Sequence, residues 1–212
     1  MSDNWHQNVK SKNREEIITA GRALFLKHNF INVSIKDVCE LAKVSRVTFY
    51  KHFKSIEQLI FEVQIDILKN MTEFIKENSQ NGIDGKGKLK KMLYSWVNFA
   101  KENKDQMKFI TLFDLYYEAY DSNEELKISY EQFVKTDNKY FLNIPILQGI
   151  KEGAFREDLN PVKTGYYIFQ TIMGVLQRMS YTKIPEDYEM VTFDDITDSV
   201  IDMIIGSISN IT

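Results

Sequence analysis

The stretch Ser34–Leu59, SIKDVCELAKVSRVTFYKHFKSIEQL, packs three helix starts and two tight turns into one short segment. Ser34 can cap a first helix, with Asp37 three residues on as a weak variant of its capping-box partner. That helix carries Ile35, Val38, Cys39, Leu41 and Ala42 and must stop near Lys43-Val44. Ser45 then caps a second helix and Ser55 a third, with Glu57 in the third helix's first turn. Two helices separated by a few residues, the second opening on polar and basic side chains, form a helix-turn-helix. Phe49 and Phe53 stand four apart and point inward, which leaves Arg46, Tyr50, Lys51 and His52 facing outward. An outward face of that composition at a helix N-terminus suits the major groove of duplex DNA.

The rest of the chain reads as helical throughout. Of its 212 residues, 43% are apolar and 27% charged, the balance of an ordinary globular protein, and its nine Gly and three Pro leave helical periodicity almost unbroken. The length allows one large core or two modest ones. No apolar run reaches the eighteen or so residues that a membrane span requires. The start, MSDNWHQNVKSKNREE, is polar and lacks an apolar h-region, so export is not expected and a cytoplasmic location is. The single cysteine, Cys39, excludes an internal disulfide and reads as a small packing residue in a reducing compartment. Charge is unevenly divided. Residues 1–58 hold ten Lys or Arg against six Asp or Glu; the remainder holds seventeen against twenty-four. A basic head on an acidic body is what a phosphate-binding domain joined to a second domain gives.

Outward from the motif, Ser11–His28 is expected as a first helix, with Ile17, Ile18, Ala20, Gly21, Leu24 and Phe25 as its inner stripe. Phe30, Ile31 and Val33 are expected to close the core beneath the motif. Leu59–Glu77 reads as a long helix leaving the head, followed by the Gly-rich loop 78–87. Gly82, Gly85 and Gly87 mimic a phosphate loop only superficially, since they follow a helix and lack the Gly-Lys-Ser/Thr ending. Aromatic-rich helices are expected at about 88–102, 104–120 and 122–142, with Pro145 breaking the chain after Asn143-Ile144. A helix from Pro161 to about Tyr181 and another from Thr192 or Asp194 complete the chain.

The run Val44-Ser-Arg-Val-Thr-Phe-Tyr-Lys-His-Phe-Lys-Ser55, following a helix-like segment, resembles the tetracycline-repressor (TetR) family of bacterial transcriptional regulators. The match at motif level covers about residues 12–60, and a looser likeness extends to LQGIKEGAFREDLNP at 147–161. Lys43 departs from the Gly usual in that family, Val47 from a small residue or Pro, and Ile56 from Lys. The resemblance implies an all-α protein with a three-helix DNA-binding head at residues 1–58. A larger helical domain for ligand binding and dimerisation, residues 59–212, would follow. It also implies that Arg46, Val47, Lys51 and Lys36 meet base edges, and that Ser34, Thr48, Tyr50 and His52 meet phosphates, with Ser45 and Lys54 completing the contact set. The chemistry agrees: Arg pairs bidentately with guanine, a Val methyl touches the thymine methyl, and hydroxyls suit phosphate oxygens.

A homodimer on a palindromic operator is implied too, sealed by the last two helices, which carry more apolar surface than one core can cover. A ligand cavity among the middle helices would be lined by Trp96, Phe99, Phe113, Tyr117, Phe133 and Tyr140, and would admit a small apolar or aromatic effector. Plain core is the competing reading for those rings. Asp114 and Glu118, four apart, meet a cationic ligand only if they face inward. No catalytic constellation, metal-ligand spacing or cofactor fingerprint is present, and an enzyme is not expected. The rival reading keeps the fold as an interaction protein that has lost DNA binding, prompted by Lys43, Val47, Ile56 and a net charge of −3.

Overall fold

The computed structural model describes residues 2–79, 84–117, 124–134, 141–183 and 191–210, with side chains from residue 12 onward, and among them the protein is all-α. In chain order the helices are α1 (Ser2–His28), α2 (Ile35–Ala42), α3 (Arg46–Tyr50), α4 (Ile56–Ser79) and α5 (Gly85–Glu102). They continue with α6 (Lys104–Tyr117), α7 (Glu124–Phe133), α8 (Asn143–Lys151), α9 (Pro161–Tyr181) and α10 (Phe193–Ile208). A 3-10 turn, Phe30–Asn32, separates α1 from α2. None of these helices is long and apolar enough to cross a membrane. Two compact units result: Met1–Leu68 with Phe109–Tyr130, and Lys69–Lys108 with Glu131–Thr212.

Helix starts follow from local chemistry. Ser34 and Asp37 exchange hydrogen bonds: the Ser34 N–H donates to Asp37 Oδ2 at 2.8 Å and the Asp37 N–H to Ser34 Oγ at 3.3 Å. The Thr48 N–H donates to Ser45 Oγ at 3.0 Å and opens α3. Thr192 and Asp195 form a second reciprocal capping box at α10. Asn160 Oδ1 accepts the Val162 and Lys163 N–H groups, with Pro161 at the first helical position, where no N–H is needed. Lys43 ends α2 at φ 54°, so the turn keeps the left-handed geometry usual for Gly without a Gly.

In the first unit α1, α2 and α3 pack on one another, and Ile17, Phe25, Val38, Phe49, Phe53 and Leu59 are fully enclosed. Each such Phe contributes roughly 1.5–3 kcal/mol by burial. Phe109 of α6 stacks on Phe25 at 6.2 Å and meets Phe30 edge-on at 5.4 Å, which makes the end of α6 part of the same core. Ile31 does not join it. It lies about half exposed in the 3-10 turn, because three residues per turn swing Ile31 roughly 120° away from the direction of the buried Phe30.

The second unit is built on α5, α8, α9 and α10, which pack around Leu89, Leu93, Trp96, Ile146, Phe155, Ile172, Leu176 and Ile201. Backbones touch where α5 meets α8: a Cβ on Gly85 would lie 2.2 Å from the Gly149 N atom, and one on Gly149 would lie 2.3 Å from the Phe155 ring. After Gly153, at φ 73°, the chain reaches Arg156, whose N–H donates to the Ile208 carbonyl at 3.0 Å. The Asn210 side-chain amide closes the junction on the Gly153 carbonyl at 2.7 Å.

Four boundaries differ from the sequence expectation, the first being α1, which opens at Ser2 rather than at Ser11. The expected loop gives way to helix at Gly85, because Asp84 Oδ1 accepts the Gly87 N–H at 2.6 Å. Of the expected helix 122–142, α7 spans Glu124–Phe133, and Phe141-Leu142 form a turn rather than its last residues. Pro145 does not break the chain; it sits in the first turn of α8, where its missing N–H costs no hydrogen bond.

Candidate nucleic-acid interface

Helix α3 is only five residues long and is set by two anchors. Ser45 fixes its start, and Phe49, with no exposed surface, fixes its inner side beside Phe53 at 5.6 Å. The opposite side therefore presents Arg46, Val47, Tyr50 and Lys51 to solvent, at i, i+1, i+4 and i+5. Val47 is 68% and Tyr50 57% exposed, values that α3's own fold does not explain for an apolar and an aromatic side chain.

The remaining expected contact residues lie around this face in different states. Ser34 and Ser45 are exposed but engaged as caps, and Thr48 Oγ1 shares a 2.9 Å hydrogen bond with Ser45 Oγ. Lys36 is exposed and stands 3.7 Å from Glu40 on its own helix. His52 is half-buried after the end of α3. Lys54 pairs with Glu125 of α7 at 3.2 Å, and its N–H donates to Gln58 Oε1 at 2.7 Å.

Not every cation of the head belongs to this surface. Arg14 pairs with Glu62 and Arg22 with Asp66, both at 2.7 Å, and these bonds clip α1 to α4. The Arg14 guanidinium also lies 5.3 Å from the Phe53 ring centroid. Lys43, Arg46 and Lys51 pair with no carboxylate among the described residues, so positive charge without a local partner gathers around α3. Cys39 is buried under the motif, and desolvation pushes its thiol pKa up, away from reactivity.

The expected effector residues fall into both units. Phe113 and Tyr117 belong to the first, where Phe61, Phe113, Tyr117 and Tyr130 all touch one another at 5.0–6.2 Å between ring centres. Trp96 and Phe99 belong to the second. Trp96 meets Phe141 and Phe169, while Phe99 meets Phe74. Phe133 is half-buried with the Lys69 ammonium 5.5 Å from its ring centre. Tyr140 and Glu118 lie outside the described residues, and Asp114 is exposed.

One residue next to the first cluster was passed over in sequence. Gln64 is fully buried, donating its Nε2 to the Tyr130 hydroxyl at 3.3 Å. Burial pushes Tyr130 up to about 12, so it stays a neutral phenol. The available signal was a lone amide at an inward position of α4, between Ile60 and Ile67 in the apolar stripe. Helices α9 and α10 keep exposed apolar side chains within the single chain, among them Val162, Tyr166, Tyr167 and Met203, the last 65% exposed. A Cβ added at Gly174 of α9 or Gly206 of α10 would meet nothing.

Residues 17–63, which contain this site, match a family described as bacterial regulatory proteins, tetR family. No curated protein sequence matches the chain. Among solved structures it is similar to the transcriptional regulator FadR from Bacillus subtilis in complex with stearoyl-CoA, at 18% identity and a TM-score of 0.70, covering 92% of this chain and 98% of that one. The ketosteroid transcriptional regulator KstR2 of Mycobacterium tuberculosis is similar at 17% identity and 0.63, covering 93% and 95%. A bacterial regulatory protein in the tetR family from Rhodococcus RHA1 is similar at 12% and 0.68, covering 94% and 98%.

Proposed function

We propose, from the match of residues 17–63 to the tetR family of bacterial regulatory proteins, that this chain is a homodimeric, cytoplasmic repressor. It binds a palindromic DNA operator through α3 and is released by a small apolar or aromatic effector. The supporting observation is the outward side of α3, where Arg46, Val47, Tyr50 and Lys51 stand exposed on a helix whose other side is locked by Phe49. Arg46 and Lys51 would read guanine edges and Val47 a thymine methyl, while Ser34, Thr48, Tyr50 and His52 hold phosphates. Lys36, Ser45 and Lys54 border the same surface. Two copies joined through the exposed sides of α9 and α10 would present two such helices roughly one DNA turn, about 34 Å, or a multiple apart.

Effector binding would act through α4, the continuous helix Ile56–Ser79 that contributes to both units. A ligand that favours one setting of α4 changes operator affinity by its differential affinity for the two settings. Selection of bound sites from a random DNA pool, with the gene's own upstream region included, tests the reading directly. A palindrome should emerge, and Tyr50→Ala or Arg46→Ala should lose it while sedimenting as wild type. No salt-sensitive selection by wild type, or Tyr50→Ala binding as tightly as wild type, would sink it. The rival, an interaction protein without DNA binding, draws less support now that Lys43 adopts the left-handed turn of the motif.

A further inference from the structure

We propose that the buried Gln64 amide and the ring cluster of the first unit form a site for a small neutral phenol, and that Tyr130 of α7 is its built-in competitor. The inference rests on the reading of the chain as an effector-controlled regulator and names the effector's chemical class.

Gln64 is fully buried on α4, and its two polar atoms are treated unequally. Nε2 donates to the Tyr130 hydroxyl, while no described residue donates to Oε1. A buried amide oxygen left without a partner costs about 1–3 kcal/mol, so the site selects for a group that supplies the missing donor. A hydroxyl can accept from Nε2 and donate to Oε1 at once. Tyr130, tethered to α7, makes only the first bond. A free phenol can turn to make both.

The walls fit the rest of such a molecule. Phe61, Phe113 and Tyr117 surround Tyr130 edge-on or tilted, arrangements that hold an aromatic ring and carry no preference for what it is attached to. Enclosure by three rings and an amide disfavours a charged head group, which separates a phenol from a carboxylate.

Helix α7 carries Tyr130. None of its residues is fully buried. Within this unit Tyr130 joins the ring cluster and the Lys127 ammonium lies 5.0 Å from the Tyr117 ring centre, while the Lys54–Glu125 pair is more than 80% exposed at both side chains and worth little. Exchange of Tyr130 for a free phenol replaces one phenol ring by another among Phe61, Phe113 and Tyr117 while completing the hydrogen bonds of Gln64. Because Gln64 lies on α4, the exchanged ligand touches the helix through which the effector is proposed to act.

The test is calorimetric titration of the full chain, without DNA, with 4-ethylphenol and with ethylbenzene, which has the same shape without the hydroxyl. The phenol should bind roughly tenfold tighter than ethylbenzene, a difference of about 1.4 kcal/mol. Gln64→Leu should abolish that preference, and Tyr130→Ala should tighten phenol binding by roughly tenfold. Equal binding of the two probes, or no gain in Tyr130→Ala, overturns the proposal. Should Tyr130→Ala fail to fold, wild type decides: 4-ethylphenol must speed amide exchange within 124–133, and unchanged exchange overturns it equally. The DNA selection described above uses no phenol. A chain that binds the probe as stated but selects no operator keeps this site and loses the regulator reading; the converse separates them the other way.

Discussion

At Tyr50 and Arg46 the fold leaves large side chains exposed to solvent, with Tyr50 meeting the Phe49 ring edge-on at 5.6 Å, and this exposure is where sequence reading was strongest. A five-residue helix with Phe at its fourth position can bury only one side, so naming the buried ring names the exposed side chains too. Arg46→Ala should cost about 1–3 kcal/mol of operator binding in each of two heads, which together remove the specific complex from a gel shift run at concentrations where wild type is bound. Phe49→Ala should cost about 3–5 kcal/mol of stability, read from urea unfolding, because its cavity lies at the centre of the head. Lys43→Gly should stabilise by roughly 0.5–1 kcal/mol, since a left-handed non-glycine residue carries strain that glycine relieves in part. Asp37 and Asp195 each accept hydrogen bonds from Ser34 and Thr192 that hold their pKa below the ordinary 3.8. A depressed folded pKa gives stability that is present above pH 3.8 and lost as pH falls through the folded value. Thermal melts should therefore drop as the medium is acidified below that point, and the Asp37→Asn, Asp195→Asn double variant should show a flatter decline. Residue-level partners were not legible: nothing in the sequence says that Arg14 and Arg22 answer to Glu62 and Asp66 rather than to phosphate, because those pairs exist only once α1 lies along α4.

Elements were legible wherever a cap or a stop carried its own chemistry. Ser34, Ser45, Asn160 and Thr192 each begin a helix as their hydroxyls and amide allow, and Pro161 takes the first helical position. Pro145 misled for the complementary reason. A proline ends one helix or opens another according to whether the preceding residues are already helical, which depends on packing around Phe141-Leu142. Gly85 and Gly149 were illegible as well; their value lies in the backbone-to-backbone approach of α5 and α8. Gly149→Ala should lower the melting temperature of the chain markedly, at a cost of about 1–3 kcal/mol, because the added methyl meets the Phe155 ring. An Ala at Gly174 meets open space and should leave the monomer's melt within a few tenths of a kcal/mol of neutral or above it, given the helix propensity gained.

For the whole molecule, charge and exposed apolar surface are the relevant quantities. Operator affinity should fall steeply with salt, and Lys54→Gln should lower the slope of log K against log salt by roughly one per head. Glu125→Gln should act in the opposite sense on affinity, because Lys54 then has no carboxylate to leave. Assembly is tested at Met203: its change to Asp on an exposed part of α10 should shift sedimentation toward the monomer without lowering helix content by circular dichroism. One pairing has a bearing on how the chain reaches this state at all. The bond from Asn210 to Gly153 joins residues 57 apart in sequence. Closing so long a loop is entropically expensive before the intervening helices have formed, so this junction should appear after the main folding barrier. Asn210→Ala should accordingly accelerate unfolding while leaving the refolding rate nearly untouched, and during synthesis the second unit would lock only once Asn210 has emerged.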